Sequence, residues 1–350
     1  MLIVDDSATQ RRLLAHHIGS DRRFQVIGTA AHAQDARGLI RAGNPQVLTL
    51  DIDMPEMDGI AFLRQLMRLR PMPVVMLSAR TAAGSDAALE ALRTGAVDCL
   101  EKGADIYRPG PACLCDRLFA AAFAQALLPG PAVSARPSFR GDMRGRVFGR
   151  MSGQRLCLIG ASTGGVVALE EILSGLPENC PPIAIAQHMP GRYLARFAAR
   201  LDRLVRPAVR LAGADETLTN GQVVLAPGDG MNLLIEQDGP TFRTRLTPHI
   251  ASQGNHCPSV GQLFRSAVPF ADRVLAVLLT GMGRDGVEAM GHLRRAGAVT
   301  LAQDKDRCTV FGMPAAALSS GAASRAVPLE KVAAEILLAG QAGQGRAPIV

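Results

Sequence analysis

Leu156-Cys157-Leu158-Ile159-Gly160-Ala161-Ser162-Thr163-Gly164 joins an apolar run to a turn of small residues. The apolar run predicts a buried strand, and the pattern that begins near Val167 predicts a helix directly after the turn. This arrangement lifts Ser162 clear of the sheet and directs a helix N-terminus at the group that Ser162 attacks. The spacing is that of a G-x-S-x-G nucleophile elbow, which indicates an enzyme of acyl transfer.

The same turn has a second interpretation, because small residues before a helix N-terminus also form phosphate-binding sites. On the turn alone, neither interpretation is favoured over the other. A phospho-ligand-binding module would need basic residues clustered near Gly160–Gly165, and the sequence shows no such cluster.

Candidate partners of Ser162 follow other predicted strands in this half of the chain. His188 follows the apolar run Ile183–Ala186, and Asp285 lies just beyond Val274–Leu279. Because the ends of parallel strands meet at one edge of a sheet, His188 is predicted to be the general base and Asp285 its orienting carboxylate. The order Ser…His…Asp differs from the α/β-hydrolase order, so the elbow motif is shared without that topology.

Other residues compete for these roles. His249 and His256 are alternative bases, although both lie in polar segments that are not predicted to follow a strand. Three alternative carboxylates are interpreted as turn residues: Asp215, Asp229 and Asp304. Three glycines around Asp285 are predicted to expose N–H groups for an oxyanion: Gly281, Gly283 and Gly286.

The first hundred residues alternate short apolar runs with helical patterns, which predicts a parallel sheet covered by helices on both faces. The predicted strands are Leu2–Val4, Phe24–Gly28, Val47–Leu50, Val74–Leu77 and the stretch Val97–Leu100. The predicted helices are Ala8–Ile18, Gln34–Ala42 and, closing the domain, Leu114–Leu128. The second half alternates again, with strands predicted at Leu156–Ile159, Ile183–Ala186, Val223–Ala226 and Val274–Leu279, so a second α/β domain is expected.

Polar residues follow successive strands of the first half. Asp5 and Asp6 follow the first strand and Asp51 follows the third, so three carboxylates meet at one edge and favour Mg²⁺. Ser78 ends the next strand and Lys102 follows the last, a combination that suits phosphoryl transfer to Asp51. Taken singly, each of these residues is alternatively a helix N-cap. That interpretation explains poorly why five polar residues lie at successive strand ends.

This half resembles response-regulator receiver domains. The resemblance is carried by Val4-Asp5-Asp6-Ser7, Leu50 to Gly59, Met76-Leu77-Ser78-Ala79 and Gly95-Ala96 through Lys102. It implies a flavodoxin-like doubly wound parallel sheet with Asp51 as phosphoacceptor. It also implies Mg²⁺ held by Asp6 and Asp51, with Asp5 nearby and the Asp53 carbonyl assisting, and Ser78 and Lys102 as the switch residues. Gly103 follows Lys102, where receivers usually have proline.

The second half resembles the catalytic domain of the chemotaxis protein-glutamate methylesterases, the CheB-type family. The matching stretches are Ile159 to Gly165, Ala186-Gln187-His188-Met189-Pro190, Leu225 to Gly228, Pro258-Ser259-Val260, Leu279 to Gly286, Ala302-Gln303-Asp304 and Phe311 to Pro314. The resemblance implies a mostly parallel α/β domain with Ser162, His188 and Asp285 as catalytic triad. Thr163 and Met282 would line the site and the oxyanion hole. The chain departs from the family pattern at Gly228–Asn232 and at Gly261.

Together the resemblances imply a serine esterase, activated by phosphorylation, that demethylates glutamate γ-methyl esters and deamidates glutamines on chemoreceptors. Its phosphodonor would be a chemotaxis-type histidine kinase, Mg²⁺ would serve only the receiver, and the esterase would need no cofactor. The alternative is a non-catalytic response regulator that acts by phosphorylation-controlled partner binding, although the sequence shows no helix-turn-helix signature for it.

Composition constrains the remaining expectations for the 350-residue chain. Its formal net charge is +7, and the segment 129–153 holds much of that excess in Arg136, Arg140, Arg144, Arg146 and Arg150. This Pro/Gly/Arg-rich segment predicts a linker between domains at 1–128 and 154–342, and no nucleic-acid partner is predicted. The seven scattered cysteines, with no signal peptide or long apolar run, predict a cytoplasmic protein that does not insert into membranes.

Overall fold

The computed structural model describes residues 1–78, 82–107, 113–124, 155–250 and 256–341. The chain divides into two compact units, Met1–Ala132 and Val133–Val350. The predicted linker, 129–153, lies outside the described residues, so the three predicted domain limits stay predictions.

The N-terminal unit is the doubly wound α/β fold that the sequence predicts. Five parallel strands have the order β2-β1-β3-β4-β5, which is the flavodoxin-like order. The strands are β1 (Leu2–Val4), β2 (Gly28–Ala30), β3 (Leu48–Asp51), β4 (Val74–Ser78) and β5 (Asp98–Glu101). The helices are α1 (Ala8–Gly19), α2 (Ala33–Gly43), α3 (Gly59–Leu69), α4 (Ala82–Thr94) and α5 (Leu114–Ala122), with a 3₁₀ turn at Ala104–Tyr107.

The prediction of a strand over Phe24–Gly28 is wrong, because β2 begins only at Gly28. The Phe24 N–H donates to the Asp21 carbonyl in a turn, and the Phe24 ring packs edge-on against Phe119 of α5. The segment still bonds to the residue before β1, because the Ile27 N–H donates to the Met1 carbonyl at 2.9 Å and the Met1 amino group donates to the Gln25 carbonyl at 2.6 Å, but this pairing is not a regular strand. The last predicted helix is also shorter: α5 ends at Ala122, and residues 125–128 lie outside the described part.

The C-terminal unit contains a parallel sheet of seven strands in the order β15-β14-β13-β6-β7-β10-β8. Its strands are β6 (Leu156–Ala161), β7 (Ile183–Gln187), β8 (Ala208–Leu211), β10 (Gln222–Leu225), β13 (Val274–Leu278), β14 (Val299–Gln303) and β15 (Arg325–Val327). Its helices are α6 (Gly165–Ser174), α7 (Gly191–Leu204), α8 (Val260–Ser266), α9 (Val287–Arg295), α10 (Met313–Ser319) and α11 (Leu329–Gln341), with a 3₁₀ segment at Val268–Arg273.

A small antiparallel sheet beside this one escapes the sequence prediction. It comprises β9 (Thr217–Leu218), β11 (Met231–Asp238) and β12 (Thr241–Pro248). Only part of β11 and β12 is buried, and both strands carry many polar residues, so neither shows the continuous apolar run that marks the parallel strands.

The centre of the parallel sheet positions the candidate site. Every residue of β6, β7 and β13 is buried, and β6 pairs with both of the other strands. Each fully buried Leu or Ile side chain here contributes about 1.5–3 kcal/mol relative to an exposed one. The C-terminal ends of three adjacent, rigid strands therefore meet at one edge, which is where ligands bind in parallel sheets.

Candidate active site and phosphorylation site

Ser162 and His188 lie side by side at the ends of β6 and β7. Ala161 and Gln187, the residues before them, are register partners, and the His188 N–H donates to the Ala161 carbonyl at 3.0 Å. Both side chains are buried. Among the described residues, neither Oγ of Ser162 nor Nδ1 of His188 has a hydrogen-bond partner. The structure thus brings the predicted nucleophile and base together, with the reactive atom of each unoccupied by the protein.

Asp285 reaches the same place from the loop after β13 and completes the predicted set. Its Oδ2 lies 2.9 Å from Nε2 of His188. The Val260 N–H donates to Oδ2 at 2.8 Å and the Gly261 N–H donates to Oδ1 at 3.0 Å. The Ser259 hydroxyl donates to both carboxylate oxygens, at 3.2 and 3.3 Å. Groups at the start of α8 therefore hold the carboxylate in place, and the carboxylate in turn orients the imidazole.

These contacts set the charge of Asp285 and the tautomer of His188. Burial alone would raise the pKa of Asp285, but the hydrogen bonds from His188 and from the Gly261 N–H lower it to about 2. An ionised carboxylate accepts hydrogen bonds and donates none, so Nε2 of His188 carries the proton. In the neutral imidazole, Nδ1 is then the nitrogen with a free lone pair.

Gln187 ties the two strand ends together, a role that sequence analysis missed. Its buried side-chain Nε2 donates to the Ser162 carbonyl at 2.8 Å and to the His188 carbonyl at 3.3 Å. A Cβ on Gly165 would lie 2.0 Å from Gln187 Oε1, so this close approach requires glycine. The available signal was the position of Gln187, directly before the predicted base.

The loop between β13 and Asp285 packs directly behind Ser162. A Cβ on Gly281 would lie 2.6 Å from Cβ of Ser162, so the predicted lining residue Met282, next in the chain, lies close to the site. Thr163 is buried, and its carbonyl accepts from the Thr280 hydroxyl at 2.9 Å. The Gly281 N–H donates to Val310, so it is not available to an oxyanion as predicted.

The competing candidates lie in other environments. Asp215 and Asp229 have positive φ angles of 57° and 50°, in keeping with turn residues, and Asp304 follows β14. His249, expected not to follow a strand, directly follows β12 and lies 3.3 Å from the amide nitrogen of Asn232. The ring of His256 stacks on His188, so His256 belongs to the site.

The N-terminal unit carries a second cluster of charged residues at the carboxyl edge of its sheet. Nζ of Lys102 lies 2.6 Å from Oδ2 of Asp51 and 3.0 Å from Oδ2 of Asp5, although glycine follows Lys102. Asp5 and Asp51 are buried. Burial raises the pKa of Asp51 to about 6, despite the opposing hydrogen bond from Lys102. The pKa of Lys102 is raised because its contacts with Asp51 and Asp5 outweigh its burial.

The donor set fits a hard divalent cation. Asp5, Asp6 and Asp51 each offer a carboxylate oxygen, and these oxygens lie within 4.8 Å of one another. Lys102 supplies one positive charge to three carboxylates, so the cluster keeps an excess of negative charge that suits Mg²⁺.

The other two predicted receiver residues differ in burial, because Asp53 is exposed and Ser78 is buried. The Asp53 carboxylate is exposed and its N–H donates to Oδ1 of Asp51 at 3.3 Å, so the predicted role of its carbonyl stays a prediction. Ser78 is buried at the end of β4, and its carbonyl accepts from the Lys102 N–H at 2.8 Å. A Cβ on Gly59 would lie 1.9 Å from the Asp51 carbonyl, so glycine is required beside the cluster.

Comparison with known proteins agrees with both halves of the fold. Residues 1–108 match the family model of the response regulator receiver domain, and residues 157–336 match that of the CheB methylesterase. Fold and site thus define a response regulator with a hydrolase unit at its C-terminus. The chain belongs to the CheB methylesterase family.

Relatives of similar length support this membership. A protein-glutamate methylesterase/protein-glutamine glutaminase 1 of Caulobacter vibrioides is 43% identical over 96% of this chain and 96% of its own. A protein of that activity name from Agrobacterium fabrum is 42% identical over 96% of this chain and 95% of its own. The crystal structure of the Thermotoga maritima CheB methylesterase catalytic domain matches with a TM-score of 0.51 and 31% identity, covering 53% of this chain and 98% of that one.

In the described part of the chain, none of the helices has both the length and the apolar character that crossing a membrane requires.

Proposed function

We propose that this protein hydrolyses glutamate γ-methyl esters on chemoreceptors and deamidates receptor glutamines, under control of phosphorylation at Asp51. One observation carries the proposal: the buried Ser162 Oγ and His188 Nδ1, which have no hydrogen-bond partner in the described part of the chain, lie at adjacent strand ends, with Asp285 fixed on Nε2. The activity names of the full-length relatives supply the substrate class.

Esterase chemistry follows from these three side chains. Ser162 Oγ attacks the ester carbonyl while Nδ1 of His188 accepts its proton, and Asp285 stabilises the resulting imidazolium. His188 returns the proton to the leaving methoxide, so methanol departs and an acyl-enzyme remains. Water then adds by the same route and releases glutamate and the Ser162 hydroxyl. With a glutamine substrate the leaving group is ammonia. Thr163 and Met282 are proposed to line the oxyanion site.

The receiver cluster is proposed to accept a phosphoryl group on Asp51 from a histidine kinase. Asp5, Asp6 and Asp51 would hold Mg²⁺, with the Asp53 carbonyl assisting, and the cation would neutralise charge on the transferring phosphoryl group. Lys102, whose Nζ lies 2.6 Å from Oδ2 of Asp51, is proposed to neutralise phosphate charge, and Ser78 is proposed as the switch hydroxyl. We assign the reaction to the cytoplasm, which the seven free cysteines support.

The test is methanol release from methylated receptor membranes, measured with and without acetyl phosphate and Mg²⁺. Release that rises with the phosphodonor supports both the esterase and its switch. Release without stimulation contradicts the switch alone. If a folded protein releases no methanol, the esterase proposal is refuted in favour of a non-catalytic regulator that acts by partner binding.

A further inference from the structure

The ring of His256 covers one face of the His188 imidazole. The two rings are parallel, with centroids 4.0 Å apart and an interplanar angle of 1°. The His188 side chain is only 4% exposed. This contact is separate from the one that Asp285 makes, because Asp285 holds the ring edge at Nε2.

A single hydrogen bond leaves the orientation of an imidazole incompletely defined. It fixes one nitrogen, but the ring can still turn about its side-chain torsion, which for histidine has broad minima. Catalysis by Nδ1 requires that nitrogen to stay directed at the nucleophile, and small errors of placement are costly in rate. A flat group stacked on the ring face removes this freedom.

The segment that carries His256 is anchored to β11. The Sγ of Cys257 donates to the Met231 carbonyl at 3.4 Å. The Ser259 N–H donates to Oδ1 of Asn232, a fully buried residue, at 2.9 Å. The residues that follow His256 therefore hold its backbone in place. A residue that orients another side chain needs such a fixed backbone.

We propose that His256 is a positioning residue for the reaction: its ring fixes the plane of the His188 imidazole, so that Nε2 stays on Asp285 and Nδ1 stays available to Ser162. This inference rests on the proposed esterase function. The role requires a flat ring at position 256 and does not require a proton on it. An aromatic replacement should therefore serve where an aliphatic one fails.

The test compares His256→Ala and His256→Phe in the full-length protein activated with acetyl phosphate and Mg²⁺. His256→Ala should lower kcat for methanol release by about 10-fold or more at unchanged KM for receptor membranes. It should slow labelling of Ser162 by a fluorophosphonate to a similar extent. His256→Phe should restore most of both rates. The matched control is His292→Ala, an exposed histidine of α9, which should behave as wild type.

Two results would overturn the inference: wild-type rates in His256→Ala, or rates in His256→Phe as low as in His256→Ala. Circular dichroism and thermal melting establish folding, and His256→Gln replaces the alanine variant if that fails to fold. The proposed function fails separately, because wild-type protein would then neither release methanol nor react with the fluorophosphonate at Ser162.

Discussion

His188 and Asp285 meet through Nε2 and Oδ2, 2.9 Å apart, which leaves Nδ1 as the nitrogen available to the proposed nucleophile. The chymotrypsin-type arrangement is the reverse, with Nδ1 on the carboxylate and Nε2 on the serine. An unpartnered buried polar atom costs about 1–3 kcal/mol. Within the described ranges Ser162 and His188 each carry such an atom at neighbouring strand ends, which indicates function in preference to packing.

Replacing the nucleophile should separate chemistry from folding. Ser162→Ala removes an oxygen that has no hydrogen-bond partner among the described residues, so thermal stability should not fall. Methanol release should fall by roughly 10⁴-fold or more, as for other serine nucleophiles. The control is Ser174→Ala at the far end of α6, whose hydroxyl donates to the Glu170 carbonyl. Turnover retained in Ser162→Ala would assign the nucleophile elsewhere.

The loop behind the nucleophile should tolerate no side chain at position 281. In Gly281→Ala the added Cβ would lie 2.5 Å from Sδ of Met313 and 2.6 Å from Cβ of Ser162. Such overpacking costs about 1–3 kcal/mol, and displacement of Ser162 should lower kcat by up to about 10²-fold. Thermal melting and methanol release measure the two effects.

Gly291→Ala is the control for that substitution. Its Cβ would lie 3.7 Å from Cβ of Ala322, an ordinary contact, in the interior of α9. It should raise stability by about 0.5–1 kcal/mol and leave kcat unchanged. Equal behaviour of the two variants would contradict the packing argument.

Removing the charge of Asp51 should block phosphorylation. Asp51→Asn removes the proposed acceptor oxygen and the ionic contact with Lys102, so mass spectrometry should find no phosphoryl group after incubation with acetyl phosphate and Mg²⁺. Asp58→Asn is the matched control, because asparagine can still cap α3 by accepting from the Ala61 N–H. A phosphoryl group on Asp51→Asn would place the acceptor elsewhere.

Acid should weaken the C-terminal unit through Asp285. Its pKa is about 2, below the ordinary 3.8, so the stabilisation is fully present above about pH 4 and is lost as the pH falls towards 2. The full difference is on the order of 2 kcal/mol. The difference in unfolding free energy between wild type and Asp285→Asn should therefore shrink between pH 4 and pH 2, measured by urea unfolding. A constant difference in unfolding free energy over this range would contradict the lowered pKa of Asp285.

Local pattern was enough to predict much of the site. Ser162 and His188 each follow a continuous apolar run, and such runs form parallel strands whose ends share an edge. The same reasoning predicted the Asp5, Asp51 and Lys102 cluster. It failed for the segment Phe24–Gly28, because an apolar run that bonds irregularly to Met1 and packs on α5 looks the same in the sequence as a regular strand.

Contacts between distant segments were not predictable. Gln187 bridges two carbonyls only because the register pairs it with Ala161, and no local signal encodes that register. The antiparallel sheet containing β11 and β12 lacks a continuous apolar run, so the Asn232 contact with Ser259 could not be foreseen. The stacking of His256 on His188 likewise joins residues that are far apart in the chain.

By itself the sequence determined the two α/β units, the polar residues at their strand ends and the family to which the chain belongs. The units and the strand-end residues follow from residue type and periodicity, which act locally, whereas the family follows from the resemblance of its motifs. Only the tertiary structure decided which nitrogen of His188 faces the carboxylate, which backbone groups hold Asp285 and which ring covers the base. Those choices depend on register and side-chain packing between segments far apart in the chain, and a one-dimensional pattern does not contain them.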